Sequence, residues 1–169
     1  MRLVLFLLLL ACPAACSGDD WGALRSLVGH WTAVGGGAPG QGAGDFTFEP
    51  GLQGAILVRK SHTEYPASKE KQAFVHDDLL IVYRDPDERS EGALRAIYFD
   101  NEGHVIRYGI TMFGDRIIFA TDPAEHGMHY RLTYEHDGGD TLRVQFEVAA
   151  PGKAFTTYVT GTAKRSLSK

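Results

Sequence analysis

Short apolar runs recur about every twelve residues along most of this chain, and residues that favour tight turns separate them. Asp137-Gly138-Gly139 and Pro151-Gly152 are two such separators, and no connection is long enough to hold a crossover helix. Neighbouring strands should therefore pair antiparallel. Ten strands are predicted near 29–35, 45–49, 55–65, 74–83, 93–99, 104–112, 115–121, 128–135, 141–149 and 155–164.

Ten hairpin-linked strands leave two exposed sheet edges, and closing the sheet into an up-and-down barrel removes both. The predicted fold class is therefore all-β, a single antiparallel up-and-down β-barrel. A short helix over about Asp20 to Leu27 is expected before the first strand, because Trp21, Leu24 and Leu27 recur at helical spacing.

The start of the chain has the pattern of an export signal. Met1-Arg2 precedes an apolar run, Leu3 to Ala11, that is too short to span a bilayer as a helix of roughly 20 residues. Cys12 and Cys16 each follow small residues, as in the lipobox of bacterial lipoproteins, and both processing sites stay open. Cys16 is the expected lipidation site because a polar segment follows it.

This interpretation divides the chain into a signal peptide of the lipoprotein type over 1–15, a tether over 16–20 and a barrel domain over 21–169. It places the protein in the bacterial cell envelope, anchored to the membrane and facing the periplasm, or secreted if the cysteines are incidental. Both cysteines precede the barrel, so no disulfide is expected within it.

Composition and motifs exclude several functions. The formal net charge of −4 argues against nucleic-acid binding, which normally needs a basic patch. The chain has no Gly-x-Ser-x-Gly elbow, no phosphate-binding Gly-x-x-x-x-Gly-Lys loop and no His-Glu-x-x-His pair. A protein that is not an enzyme is therefore the favoured expectation.

Gly29-His30-Trp31 stands at the start of the first predicted strand and resembles the Gly-x-Trp signature of lipocalin-like (calycin) barrels. The resemblance implies that Trp31 closes one end of the barrel under a basic residue from the last strand. Lys164 and Arg165 are the candidates, and Arg165 is the one expected to fill this role. A cation stacked on an indole gains up to about 2 kcal/mol when it is desolvated.

Within calycins, the glycine-rich segment 35–40 is most similar to nitrobindin-type heme barrels and related bacterial families of unknown function. That resemblance implies a heme whose iron is held by a His on the final strand. The matching position here is about Tyr158, and no His follows His136. Heme is therefore a candidate cofactor only through tyrosinate ligation.

Strands three and four carry a candidate metal site. If the two strands pair so that the numbers of opposite residues sum to 138, His62 faces His76, and Glu64 and Asp78 lie one step away on the same row. These four side chains could then share a zinc-like ion. A slip of one residue instead places His62 opposite Asp77 and makes a His–carboxylate pair. The sequence leaves both registers open.

Polar residues on strands that should line the barrel are candidates for binding a ligand. An inward-facing Arg would offer a fork for a ligand carboxylate, whereas outward-facing arginines would pair with acidic neighbours. The candidate ligand-binding residues are Arg59, His62, His76, Arg95, Tyr98, Arg107, Tyr108 and Tyr158.

These observations predict a barrel that binds a small hydrophobic or amphipathic ligand in its interior, an inference by analogy from the fold. Two alternatives stay open: a heme- or metal-binding barrel, and a structural or interaction module of the cell envelope whose interior is filled by side chains.

Overall fold

The computed structural model describes residues 21–34, 42–68, 71–86, 92–123 and 126–166. The predicted leader, tether and glycine-rich segment lie outside these residues. No helix in the described residues is long and apolar enough to cross a membrane.

Ten antiparallel strands form one closed barrel, in which each strand pairs with its neighbours in sequence and β1 closes the sheet against β10. The predicted fold class is confirmed, and each predicted strand boundary falls within two residues of the observed one. The strands are β1 Gly29–Val34, β2 Ala43–Gly51, β3 Ile56–Tyr65, β4 Phe74–Asp85, β5 Ala93–Asp100, β6 Val105–Phe113, β7 Arg116–Ala120, β8 His129–His136, β9 Thr141–Ala149 and β10 Thr156–Ser166.

The predicted N-terminal helix is a single 3₁₀ turn over Gly22–Leu27, so the α-helical expectation is wrong. Six residues are too few to sustain an α-helical ladder, and the backbone is already extended at Val28. The apolar residues that suggested a helix nevertheless pack together. Trp21, Leu24 and Leu27 are all buried against one end of the barrel.

Trp31 occupies the same end and is fully buried. Its indole Nε1 donates a hydrogen bond of 2.7 Å to the carbonyl of Leu27, which ties the turn to β1. The guanidinium of Arg165 lies 4.1 Å from the Trp31 ring centroid and donates to the carbonyls of Ser26 and Val28. Lys164, the other candidate, pairs with Thr32 and is exposed.

Gly29 makes this arrangement sterically feasible. Its φ is +128°, and a Cβ built there would stand 2.6 Å from a guanidinium nitrogen of Arg165. The turn, Trp31 and Arg165 together form what we call the closed end of the barrel.

Inward-facing side chains change character along the barrel axis. Near the closed end they are apolar and fully buried, as at Phe48, Leu57, Val82 and Leu142. Towards the opposite end, inward-facing side chains are partly exposed to solvent within the described residues. We call this solvent-accessible half of the interior the cup. Its inward-facing members include Ser61, Thr63, His76, Tyr98, Tyr130, Phe146 and Gly161.

Candidate ligand site

The floor of the cup is a buried ion pair. Arg59 on β3 and Asp78 on β4 point inward, and Nη1 of Arg59 donates to Oδ1 of Asp78 at 2.5 Å. Their side chains are only 10% and 5% exposed. The guanidinium also lies 5.2 Å from the ring centroid of Phe46, which is a cation–π contact.

Burial and attraction act against each other in this pair. Burial lowers the pKa of Arg59, but the attraction of Asp78, assisted by nearby tyrosines, raises it overall, so the guanidinium stays charged. Burial raises the pKa of Asp78 overall, although Arg59, His76 and a hydrogen bond from Ser61 act to lower it. The floor is therefore polar but carries almost no net charge.

Three tyrosines surround the ion pair. Burial raises the pKa of Tyr134 to about 12 and raises the pKa of Tyr98 and Tyr108 further, so all three hydroxyls stay protonated at neutral pH. The hydroxyl of Tyr134 and the Nε of Arg59 are buried and have no hydrogen-bond partner among the described residues. The floor thus has unused hydrogen-bonding capacity, which is uncommon in a protein interior.

His76 connects the floor to the rim of the cup. Its Nδ1 lies 2.8 Å from a carboxylate oxygen of Glu102, and its Nε2 lies 3.1 Å from the hydroxyl of Tyr98. Tyr98 in turn donates to Asp100 at 3.2 Å. Burial would raise the pKa of Asp100, but hydrogen bonds from the backbone and imidazole of His104 lower it overall. This carboxylate therefore stays ionised.

Aromatic rings line the upper wall and rim. Tyr65 and Phe74 stack with ring centroids 4.4 Å apart, at the facing ends of β3 and β4. Tyr158 is the extra residue where the β9–β10 register shifts, and its ring packs edge-on against Phe146 at 6.1 Å. With 72% of its surface exposed, Tyr158 lies at the mouth of the cup rather than inside it.

The structure brings together five of the eight candidate ligand-binding residues. Arg59, His76, Tyr98 and Tyr108 face the interior, and Tyr158 lies at its mouth.

The other three candidates lie on the outer surface. Arg95 and Arg107 share a face with the outward positions of β5 and β6, because Ala96 and Tyr108 occupy the inward ones. Neither arginine is placed to bind a ligand carboxylate in the barrel. His62 also faces outward.

The four residues predicted to share a metal ion are separated. In the observed register residue numbers sum to 139, so His62 pairs with Asp77 and not with His76. Strand pleating then puts His62 and Glu64 outside the barrel and His76 and Asp78 inside it. No group of three or more His, Cys, Asp or Glu side chains in the described ranges is arranged to hold a metal ion.

The His–carboxylate pair of the alternative register is present on the outer surface. Nδ1 of His62 lies 2.7 Å from Asp77, and Nε2 lies 3.4 Å from Glu64. The hydrogen bond to Asp77, followed by that to Glu64, raises the pKa of His62 above its ordinary value of 6.5.

We expect Asp77→Asn to lower the pKa of His62 towards 6.5, and Glu64→Gln to lower it by less, because Asp77 is the closer partner. NMR titration of the imidazole protons measures both. Because the pKa is raised on folding, this group stabilises the fold below about pH 6.5, and the contribution is lost as pH rises through the folded value. An unchanged pKa in Asp77→Asn would contradict the assignment.

Sequence reasoning missed Tyr134 as a member of the site. Tyr134 alternates with Leu132 on the buried face of β8, so the strand pattern placed its hydroxyl in the interior. That alternation was the available signal. The unpaired state of the hydroxyl depends on packing between distant strands and left no trace in the local sequence.

Comparisons with known proteins find a similar fold but no matching family. No family model matches the chain, and no curated protein matches it in sequence. Among solved structures, Rv2717c from M. tuberculosis is similar, with a TM-score of 0.53 and 14% identity over 86% of this chain and 98% of that one. This likeness concerns the fold of the barrel alone. The nitrobindin-type resemblance stays a prediction.

Proposed function

We propose that the protein is a lipocalin-like carrier that binds a small amphipathic molecule in the cup. Apolar ligand surface would be buried against the aromatic wall, at about 25 cal/mol per Å². The polar end of the ligand would reach the tyrosines and the ion pair at the floor, which would fix its orientation.

The observation that carries the proposal is the space in front of Gly161. Gly161 faces inward, because it pairs with Val144, whose side chain packs against the core. A Cβ built on Gly161 would meet no atom of the described residues within 4 Å. An interior filled by side chains would contact that position, so the empty space favours a binding cavity over a purely structural module.

Filling this space tests the proposal. We expect Gly161→Phe to weaken binding of the neutral fluorescent probe N-phenyl-1-naphthylamine at least about tenfold, because the ring would occupy the ligand's volume. Stability should change by less than about 1 kcal/mol, since the position has room and Phe favours a strand. Fluorescence titration and urea unfolding of the two proteins measure these effects.

Thr160→Phe is the matched control. Thr160 is the preceding residue on β10 and its side chain points outward, so the same ring is added outside the barrel. Probe affinity should be unchanged in this variant. Equal affinity in the wild type and Gly161→Phe, or no probe binding by the wild type, would refute a carrier that uses the cup.

The proposed location is the cell envelope, where a lipid on Cys16 would anchor the protein to the membrane. Trp21 packs at the closed end of the barrel, so the chain that precedes it would join the barrel at the end opposite the mouth of the cup. A mass increase on an N-terminal Cys16 in the purified protein, sensitive to globomycin during expression, supports this assignment. An unmodified mature terminus would rule it out.

Heme fits the described residues poorly. Tyr158, at the predicted ligand position, is mostly exposed at the mouth. His76 is the imidazole inside the cup, but both of its ring nitrogens already have partners, Glu102 and Tyr98. Titration with hemin tests the alternative, because a Soret shift that is lost in Tyr158→Phe would favour heme over an amphipathic ligand.

A further inference from the structure

We infer that the ligand of the cup has an uncharged head group that both donates and accepts hydrogen bonds, such as a primary amide or an alcohol, rather than a carboxylate. This inference rests on the proposed function and names the chemical class of the ligand's polar end. It follows from how the charges around the floor are already paired.

The guanidinium of Arg59 is the cation at the floor that would attract an anionic head group. It is already bound to Asp78 at 2.5 Å, and both side chains are almost completely buried. A second carboxylate would have to displace Asp78 from its partner or lie beside it. Either outcome leaves a buried carboxylate without a matching positive charge.

The wall of the cup adds further negative charge. The side chain of Asp100 is 3% exposed and accepts hydrogen bonds from two backbone N–H groups, while Glu102 stands at the rim beside His76. An anionic head group would therefore meet two inward carboxylates and one guanidinium, an unfavourable field in a poorly solvated site.

A cationic head group would also bind weakly at the floor. Asp78 is engaged by Arg59 and Ser61, and Asp100 is engaged by Tyr98, His104 and the backbone. An ammonium group would lose its hydration without gaining a free carboxylate. Burial of a charge without a partner of its own is unfavourable.

A neutral polar group suits the floor. The unpaired Nε of Arg59 needs an acceptor, and the unpaired hydroxyl of Tyr134 can donate or accept. The hydroxyl group of Tyr108 lies near the same guanidinium and can also donate or accept, whereas the hydroxyl of Tyr98 already donates to Asp100. An amide or a hydroxyl supplies both kinds of hydrogen bond without adding charge.

A series of ligands with equal chain length tests the inference on the wild-type protein. Decanamide, decanol, decanoate and decylammonium are compared by their displacement of N-phenyl-1-naphthylamine at pH 7.5. We expect decanamide and decanol to bind at least about tenfold more tightly than decanoate and decylammonium. Decanoate or decylammonium binding as tightly as the neutral pair would overturn the inference and leave the carrier function standing. Failure of all four to bind would overturn the carrier function itself.

Asp78→Asn removes the negative charge at the floor and leaves the positive charge of Arg59 unpaired. The ratio of decanoate to decanamide affinity should shift at least about tenfold towards decanoate. Asp77→Asn is the matched control, because it removes the same charge one residue away on the outer face, and its ratio should equal that of the wild type. An unchanged ratio in folded Asp78→Asn would overturn the inference. If that variant does not fold, the wild-type series decides.

Discussion

Replacing Arg59 alone with Met is expected to destabilise the protein by about 3–5 kcal/mol, because it leaves Asp78 buried without its positive partner. Both side chains are at most 10% exposed, so solvent screens the loss little. The variant should also acquire a new pH dependence. Without Arg59 the pKa of Asp78 rises further, so the native state binds a proton that the unfolded chain does not. Stability of the variant should then fall as pH rises through that pKa. Urea unfolding at several pH values measures both effects.

The double variant Arg59→Met/Asp78→Leu serves as the control for charge. Removing both ions eliminates the desolvation cost of each, and replacement of a buried ion pair by apolar residues is often neutral. We expect the double variant to lie within about 2 kcal/mol of the wild type and to lose the added pH dependence. If the two substitutions instead add in full, the pair does not act as a coupled unit.

Local pattern was enough to predict the strands. The hairpin at Asp137-Gly138-Gly139 and the alternation of Leu142 with Arg143 depend only on nearby residues, and β9 was predicted at its observed bounds. Closure was predicted from the strand count, because closing ten hairpin-linked strands into a barrel removes both exposed edges directly. The six-residue helical segment was misassigned because apolar spacing does not distinguish one 3₁₀ turn from an α-helix.

Less of the candidate site could be predicted, because the sequence does not fix which residues face each other across two strands or which of them point into the barrel. One residue of register moved His62 from a partnership with His76 to one with Asp77, and the two histidines ended on opposite faces. For the same reason, the sequence did not determine that Arg95 and Arg107 face outward whereas Tyr108 faces inward. The sequence marks these positions only as polar strand residues, and the closed barrel shows which of them share its interior.

Replacing Trp31 with Ala should be the most destabilising change at the closed end, with an expected loss of about 3–5 kcal/mol. The substitution removes a fully buried ring, deletes the hydrogen bond from Nε1 to the carbonyl of Leu27, and exposes the underside of Arg165. Since the 3₁₀ turn is held through this bond, local unfolding should begin there. Hydrogen exchange of the backbone amides over 22–28 and urea unfolding followed by circular dichroism measure the two effects.

A double-mutant cycle with Arg165→Met separates the stacking from the cavity. The guanidinium lies 4.1 Å from the Trp31 ring centroid and is partly shielded, so we expect a coupling free energy of about 1–2 kcal/mol. Arg165→Met alone should cost less than Trp31→Ala, because Met still covers the ring while the hydrogen bonds to Ser26 and Val28 are lost. Strict additivity would mean that Arg165 stabilises this end only through those backbone carbonyls and its ion pair with Asp140, and that stacking on the indole contributes nothing.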